Sequence, residues 1–218
     1  MAIINTETES HIMELLCARL CHDLIGPISA VNNGVELVRD FGDEMKGEAL
    51  DLIGDSALRA SRLLQFYRVA FGSARAPDGS GIGVGEARQR ALEALTSERI
   101  TIHWPEDSVP QGAELPRSTV KLALNMVLLG AETLPGAGDI DVLFKLENPR
   151  EIRVTAKKEG IALAHDIAQV LNGAANQDDL TPQNVQAFLT RSLADSAGKG
   201  LGIETSATDI SFFVELNA

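Results

Sequence analysis

This chain is short of cysteine, of positive charge and of long apolar runs, and each shortage closes off a class of function. Cys17 and Cys21 are the only cysteines in 218 residues. Four apart on a helix, they lie one above the other and too close in sequence for a typical structural disulfide, which fits a reducing compartment. A metal site of Cys17, Cys21 and His22 is disfavoured because His22 is rotated about 100° from Cys21 and diverges from it. Two small residues packed in a helix interface is the plainer reading. Lys and Arg number 19 against 31 Asp and Glu, for a net charge of -12. Such a field repels nucleic acid and anionic lipid and suits basic surfaces on protein partners. No uncharged stretch is long enough to span a bilayer, and the opening residues 1–7 lack a basic region followed by an apolar run. The expectation is a soluble, cytoplasmic protein that binds neither nucleic acid nor membrane, with length enough for two domains.

What is present begins with His22-Asp23-Leu24-Ile25-Gly26-Pro27. Proline inside a helix removes a hydrogen bond and clashes with the preceding turn at about 3 kcal/mol, so a helix that keeps Pro27 has a reason to bend there. A neutral imidazole leaves one basic nitrogen free to attack phosphorus, and an adjacent carboxylate holds the proton on the other and stabilises the charge that develops. Asp23 is placed for that role. A surface histidine beside a fortuitous proline is the competing reading, so the surroundings decide.

Ser10 is a candidate cap for a helix whose apolar positions run Leu16, Leu20, Leu24, Ile28, Val31, Val35 and Val38. At 100° per residue His22 lies about 200° from Leu20 and about 160° from Leu24, so it points away from that stripe. Phe41-Gly42-Asp43 breaks the helix. A second follows with Leu50, Ile53, Ala57, Ala60, Leu64, Tyr67 and Phe71 at spacings of three and four. A hairpin of two such helices has no third helix to cover it, and a second copy completes a symmetric four-helix bundle with one exposed His22 per subunit. The alternative is that the hairpin packs on its own C-terminal half.

The run Arg-Ala-Pro-Asp-Gly-Ser-Gly-Ile-Gly-Val-Gly over 75–85 is a loop by composition. It divides the chain into a hairpin over 1–75, a linker over 76–85 and a second domain over 86–218. Patterning in the second domain predicts helices near 86–95, 116–129, 161–172 and 182–197, and strands near 100–104, 140–146, 152–156, 201–205 and 210–216. The fold class is α plus α/β, with an α/β sandwich on a mixed sheet. His165-Asp166 repeats the His-Asp pair without a proline five on and reads as surface or cap residues; His103 ends a strand and reads as structural; His11 reads as exposed in the first helical turn.

A dimerising hairpin with an exposed His-acid-x-x-x-Pro, followed by an α/β domain of this order, resembles the core of sensor histidine kinases. The resemblance implies a GHKL-like second domain, and there the chain departs from the pattern. The family's helix carries Asn with a second Asn four residues on for magnesium; here Asn125 is followed by Leu129. No Asp-x-Gly-x-Gly follows the strand at 152–156, where the sequence reads Lys157-Lys158-Glu159-Gly160-Ile161. Gly198-Lys199-Gly200-Leu201-Gly202 looks like the phosphate lid but follows the last predicted helix and runs into the final two strands, where the resemblance implies a helix C-cap with no phosphate role. The lid position near 174–184 has no glycine pair to cradle phosphates.

A kinase-like fold with a degenerate nucleotide site is similar to the ChpT-type histidine phosphotransferases of alphaproteobacterial phosphorelays. The resemblance covers about residues 10–216. It implies a homodimer that takes phosphate from the receiver domain of a hybrid histidine kinase and passes it to those of response regulators, through His22. It implies no cofactor on this chain, with Mg2+ supplied by the receiver. Asp23 would orient His22, and Gly26 with Pro27 would keep the approach open. Ser29, Ala30 and Asn33 would touch the receiver, and Arg59 and Arg62 are partner contacts or a solvated charged face. Gly26 stands where kinases keep Asn or Thr to position a hydrolytic water, so weak phosphatase activity is expected. An ATP-dependent kinase core and a non-catalytic dimeric scaffold are the alternatives.

Overall fold

The computed structural model describes residues 6–72, 83–109 and 115–217. Helix α1 (Thr6–Phe41) and helix α2 (Lys46–Ala70) form the hairpin, joined by a 3-10 turn at Gly42–Glu44. Thr6 starts α1 a full turn before Ser10, so Ser10 lies inside the helix rather than capping it. Glu7 and Glu9 in the first turn suit the positive end of the helix dipole there. His11 consequently sits past the first turn and is half-buried, not exposed. Pro27 lies within α1, which is helical on both sides of it. The two helices come close together at buried Gly34, where a Cβ would press within 2.6 Å of the Ile53 side chain and 3.0 Å of the Ala49 carbonyl oxygen.

The second domain runs α3 (Val84–Leu95), β1 (Ile100–His103), α4 (Arg117–Thr133), β2 (Gly138–Lys145), β3 (Glu151–Lys157), α5 (His165–Leu171), α6 (Val185–Ala197), β4 (Gly202–Thr205) and β5 (Asp209–Glu215). The expected linker falls mostly on residues outside the described set, and its last two residues already belong to α3. The sheet is mixed, in the order β1-β2-β3-β5-β4, with β1 and β2 parallel and the remaining pairs antiparallel. Period-two alternation turns Ile140, Val142, Phe144, Ile152, Val154, Ala156, Ile210, Phe212 and Val214 inward under the helices. The opposite face is polar, with Thr155 bonded to Ser211 and Arg153 over the Phe213 ring. Helix α4 is the centre of the core: Leu122, Leu124, Met126, Val127 and Leu129 are fully buried. A helix apolar on nearly all sides has to be enclosed, here by the sheet and by α2, α3 and α6.

The apolar stripe of the hairpin is shared between two destinations. Near the domain, Leu63, Phe66, Tyr67, Val69 and Ala70 of α2 join the core of the second domain, with Ile12, Leu15, Leu20 and Leu24 of α1 packed against it. The chain's own second half therefore covers part of the surface that the sequence assigns to a second copy. Farther along, Ile28, Val35, Leu50 and Leu64 remain exposed.

Three side chains one turn apart on α4 fasten the end of α2. Asn125 Nδ2 donates to the Ala70 carbonyl at 2.8 Å, Lys121 Nζ to that of Phe71 at 2.9 Å, and Arg117 to that of Gly72 at 3.3 Å. The last carbonyls of a helix have no partner within it, so this ladder completes α2 and fixes the hairpin to the sheet domain.

Candidate functional site

Helical phase turns His22 outward, and its side chain is 85% exposed. One residue on, Asp23 faces back toward α2 with its side chain only 22% exposed. His22 Nδ1 lies 3.3 Å from Asp23 Oδ1. With Nδ1 facing the carboxylate, Nε2 is the nitrogen left to solvent, the arrangement that a phosphoryl acceptor needs.

The second carboxylate oxygen of Asp23 is held from two sides. Tyr67 of α2 donates its hydroxyl to Asp23 Oδ2 at 2.6 Å, and Arg19 donates Nε to the same oxygen at 3.3 Å. Arg19 continues into the second domain: one Nη donates to Glu132 Oε1 at 2.6 Å, and the other faces the carbonyls of Pro182 and Gln183. Burial, followed by the bond to Asp23 and the charge on that carboxylate, raises the Tyr67 phenol far above its ordinary value, so it remains a donor. Burial pushes Glu132 up to about 7, with Arg19 pulling the other way and Asp23 adding to the rise. Burial alone would lower Arg19, but Glu132 and Asp23 outweigh it and the guanidinium stays charged.

A shallow cleft beside His22 is lined by Asp23, Gly26, Pro27, Ala30, Ser56 and Arg59. The structure thus gathers His22, Asp23, Gly26, Ala30 and Arg59 of the sequence-predicted set around one depression. Ser29, Asn33 and Arg62 are exposed but do not line it. A Cβ at Gly26 would meet nothing within 4 Å, so this chain's own packing does not require glycine there. Sequence reasoning missed Arg19, Tyr67 and Glu132. The spacing of Arg19 four before Asp23 was a legible ion-pair signal. Tyr67 was read as one more apolar stripe residue, although a buried phenol needs a partner for its hydroxyl. Glu132, on a helix buried all round, gave only the general signal that an acid there must be paired.

Cys17 and Cys21 are exposed free thiols, and among the described residues no cluster of three or more His, Cys, Asp or Glu is arranged to hold a metal. His103 pairs with Asp139 at 3.2 Å on the sheet surface, and His165 opens α5 with Nε2 beside the Gln169 amide. No helix among the described residues is long and apolar enough to cross a membrane.

At the positions compared with nucleotide motifs, Asn125 is buried with its amide donating to Ala70 and Lys121 carbonyls, while its side-chain oxygen accepts from Gln186 of α6 at 3.0 Å. Leu129 is fully buried. Residues 174–184 are tied by a capping box on Asn176 and Asp179 and by Asn184 bonds to Thr181 and Asp179. Gly198 caps α6, as the resemblance implies, and Gly200 makes a positive-φ turn into β4.

The family model for the histidine phosphotransferase C-terminal domain matches residues 84–209. Protein phosphotransferase ChpT of Brucella abortus (strain 2308) is 37% identical over 205 residues, covering 92% of this chain and 93% of that protein. A solved structure of a bacterial phosphotransferase superposes with a TM-score of 0.77 at 34% identity, covering 93% of this chain and 94% of that one. On the strength of these matches, of which the relative and the solved structure span nearly the whole chain, the chain belongs to the ChpT-type histidine phosphotransferase family.

Proposed function

We propose that this protein is a phosphorelay transferase whose His22 accepts a phosphoryl group from the aspartyl phosphate of one receiver domain and delivers it to the aspartate of another. The observation that carries this reading is the His22–Asp23 pair: an exposed imidazole whose Nδ1 faces a carboxylate 3.3 Å away. In the forward step the Nε2 lone pair attacks phosphorus and an N–P bond forms. The P–O bond to the receiver's carboxylate breaks, and its electron pair leaves with that carboxylate. Nδ1 keeps its proton throughout, and Asp23 offsets the positive charge that develops on the ring. The return step reverses these changes. Catalysis is mostly positioning and charge neutralisation, since the receiver brings its own Mg2+ and this chain needs no cofactor.

The depression around Gly26, Pro27, Ala30 and Arg59 lies beside His22, and its small side chains leave room for a receiver. Ser29, Asn33 and Arg62 extend that contact along the exposed faces. Nearby, Ile28, Val31, Ala57, Ala60 and Leu64 line a second, apolar groove on the hairpin. Its burial by a second hairpin makes the working unit a homodimer, a cytoplasmic one by the reducing character of its exposed thiols. The commitment of the Asn125 side chain to Ala70, Lys121 and Gln186, together with the burial of Leu129, supports a transferase that does not draw on ATP.

Incubation with a phosphorylated receiver domain, and separately with labelled ATP, tests the reading. Label should reach the protein from the receiver and not from ATP. Label from ATP alone would show an autokinase, and label from neither would show a scaffold.

A further inference from the structure

Two side chains, Tyr67 and Arg19, converge on the acid beside His22, a third, Glu132, holds Arg19, and none of the three has a role in the phosphotransfer scheme so far. Asp23 Oδ2 accepts from both Tyr67 and Arg19, and Arg19 is itself held by Glu132 at the end of α4 and by two carbonyls in the segment before α6. Both bonds fall on one oxygen. The other oxygen is thereby left pointing at His22 Nδ1. An unrestrained aspartate on a helix surface samples several rotamers and spends much of its time bonded to water. Here the carboxylate is nearly four-fifths covered, and its rotamer is set by Tyr67 of α2 and by Arg19 of its own helix, which Glu132 of the second domain holds in turn.

We propose that Tyr67, Arg19 and Glu132 are positioning residues that lock Asp23 in the orientation that holds the Nδ1 proton of His22, so that the second domain tunes the acceptor without touching phosphate. The proposal rests on His22 being the acceptor and deepens that reading. It also gives the sheet domain a task at the site: Glu132 sits on the same helix whose Asn125, Lys121 and Arg117 fasten the end of α2, and that fastening fixes Tyr67 opposite Asp23. Of the two bonds to Asp23, that from Tyr67 is the shorter, and its donor is one that burial keeps protonated. It makes the largest contribution. Arg19 supplies a charged but longer bond, and Glu132 acts one step further away.

Tyr67→Phe removes only the hydroxyl and keeps the ring that stacks on Phe71 and meets Phe66 edge-on. Single-turnover transfer from a phosphorylated receiver should slow about 10-fold at saturating receiver, a modest share of what a positioned acid-base group contributes, with the half-saturating receiver concentration unchanged. Glu132→Gln should slow it about 3-fold in the same rate-only manner, as expected for a residue acting through Arg19. A purely structural role would not alter the ring of His22, so its 15N shifts decide the matter: both variants should move His22 from the Nδ1–H form toward a mixture of tautomers. The His22 signals are assigned by their loss in His22→Ala. Melting temperatures identify any variant that fails to fold, and Glu132→Gln carries the test if Tyr67→Phe does. Wild-type rates with unmoved His22 shifts in the folded variants would overturn the proposal. Retention of label by His22→Ala would instead overturn the acceptor assignment on which it stands.

Discussion

The hairpin and the sheet domain both carry long apolar stretches, yet they treat them in opposite ways. Helix α4 encloses Leu122, Leu124, Met126 and Leu129 completely, whereas α1 and α2 leave Ile25, Ile28, Leu50, Leu58 and Leu64 about half exposed or more. A domain that buries its apolar residues this fully presents a mostly polar sheet face to solvent. A hairpin that leaves them bare beside an exposed histidine is built for other surfaces, because large apolar patches on soluble proteins mark interaction sites. The sheet domain anchors, and the hairpin engages.

Substitutions that shrink each kind of leucine separate the two roles most sharply. Leu122→Ala removes a fully buried side chain from the core and should cost about 2–5 kcal/mol of unfolding free energy. Leu64→Ala should cost under about 1 kcal/mol within one chain, while sedimentation should show weakened self-association. Equal losses of stability from the two would erase the distinction. A smaller effect than that of Leu122→Ala is expected at the joint between the regions: Asn125→Ala removes the bonds to the Ala70 carbonyl and from the Gln186 amide and should cost about 1–3 kcal/mol by urea unfolding. An unchanged midpoint would mean that the ladder of Arg117, Lys121 and Asn125 does not bind the regions together.

A further effect concerns pH. Burial raises Glu132 from an ordinary 4.5 to about 7, against the pull of Arg19 and with Asp23 adding to the rise. The native state then holds a proton that the unfolded chain releases, so this contribution to stability is complete below about 4.5 and fades as pH climbs toward 7. Glu132→Gln should flatten that part of a stability profile measured by urea unfolding at pH 5 and pH 7.5. A slope identical to wild type would show that Glu132 keeps an ordinary carboxyl.

Much of this was legible because local patterns and tertiary demands agree. The period-two runs of β2, β3 and β5 and the helical spacing of α1 and α2 mark elements close to their observed limits, and helical phase alone turns His22 outward. Ser10 misled because it has the chemistry of a cap but lies within a helix that Thr6 had already begun. Spacing did not reveal how the hairpin stripe divides between its own domain and the exposed groove, since both destinations ask for the same residues. The Asp23 contacts were the least readable. Arg19, Tyr67 and Glu132 come from three helices, and only the folded chain brings residue 132 to residue 19.

The most direct test is to locate the phosphate. Wild-type protein reacted with a phosphorylated receiver and mapped by mass spectrometry should carry the group on the α1 peptide at His22, and His22→Ala should carry none. Phosphate on His11, His103 or His165, or on His22→Ala, would contradict the account.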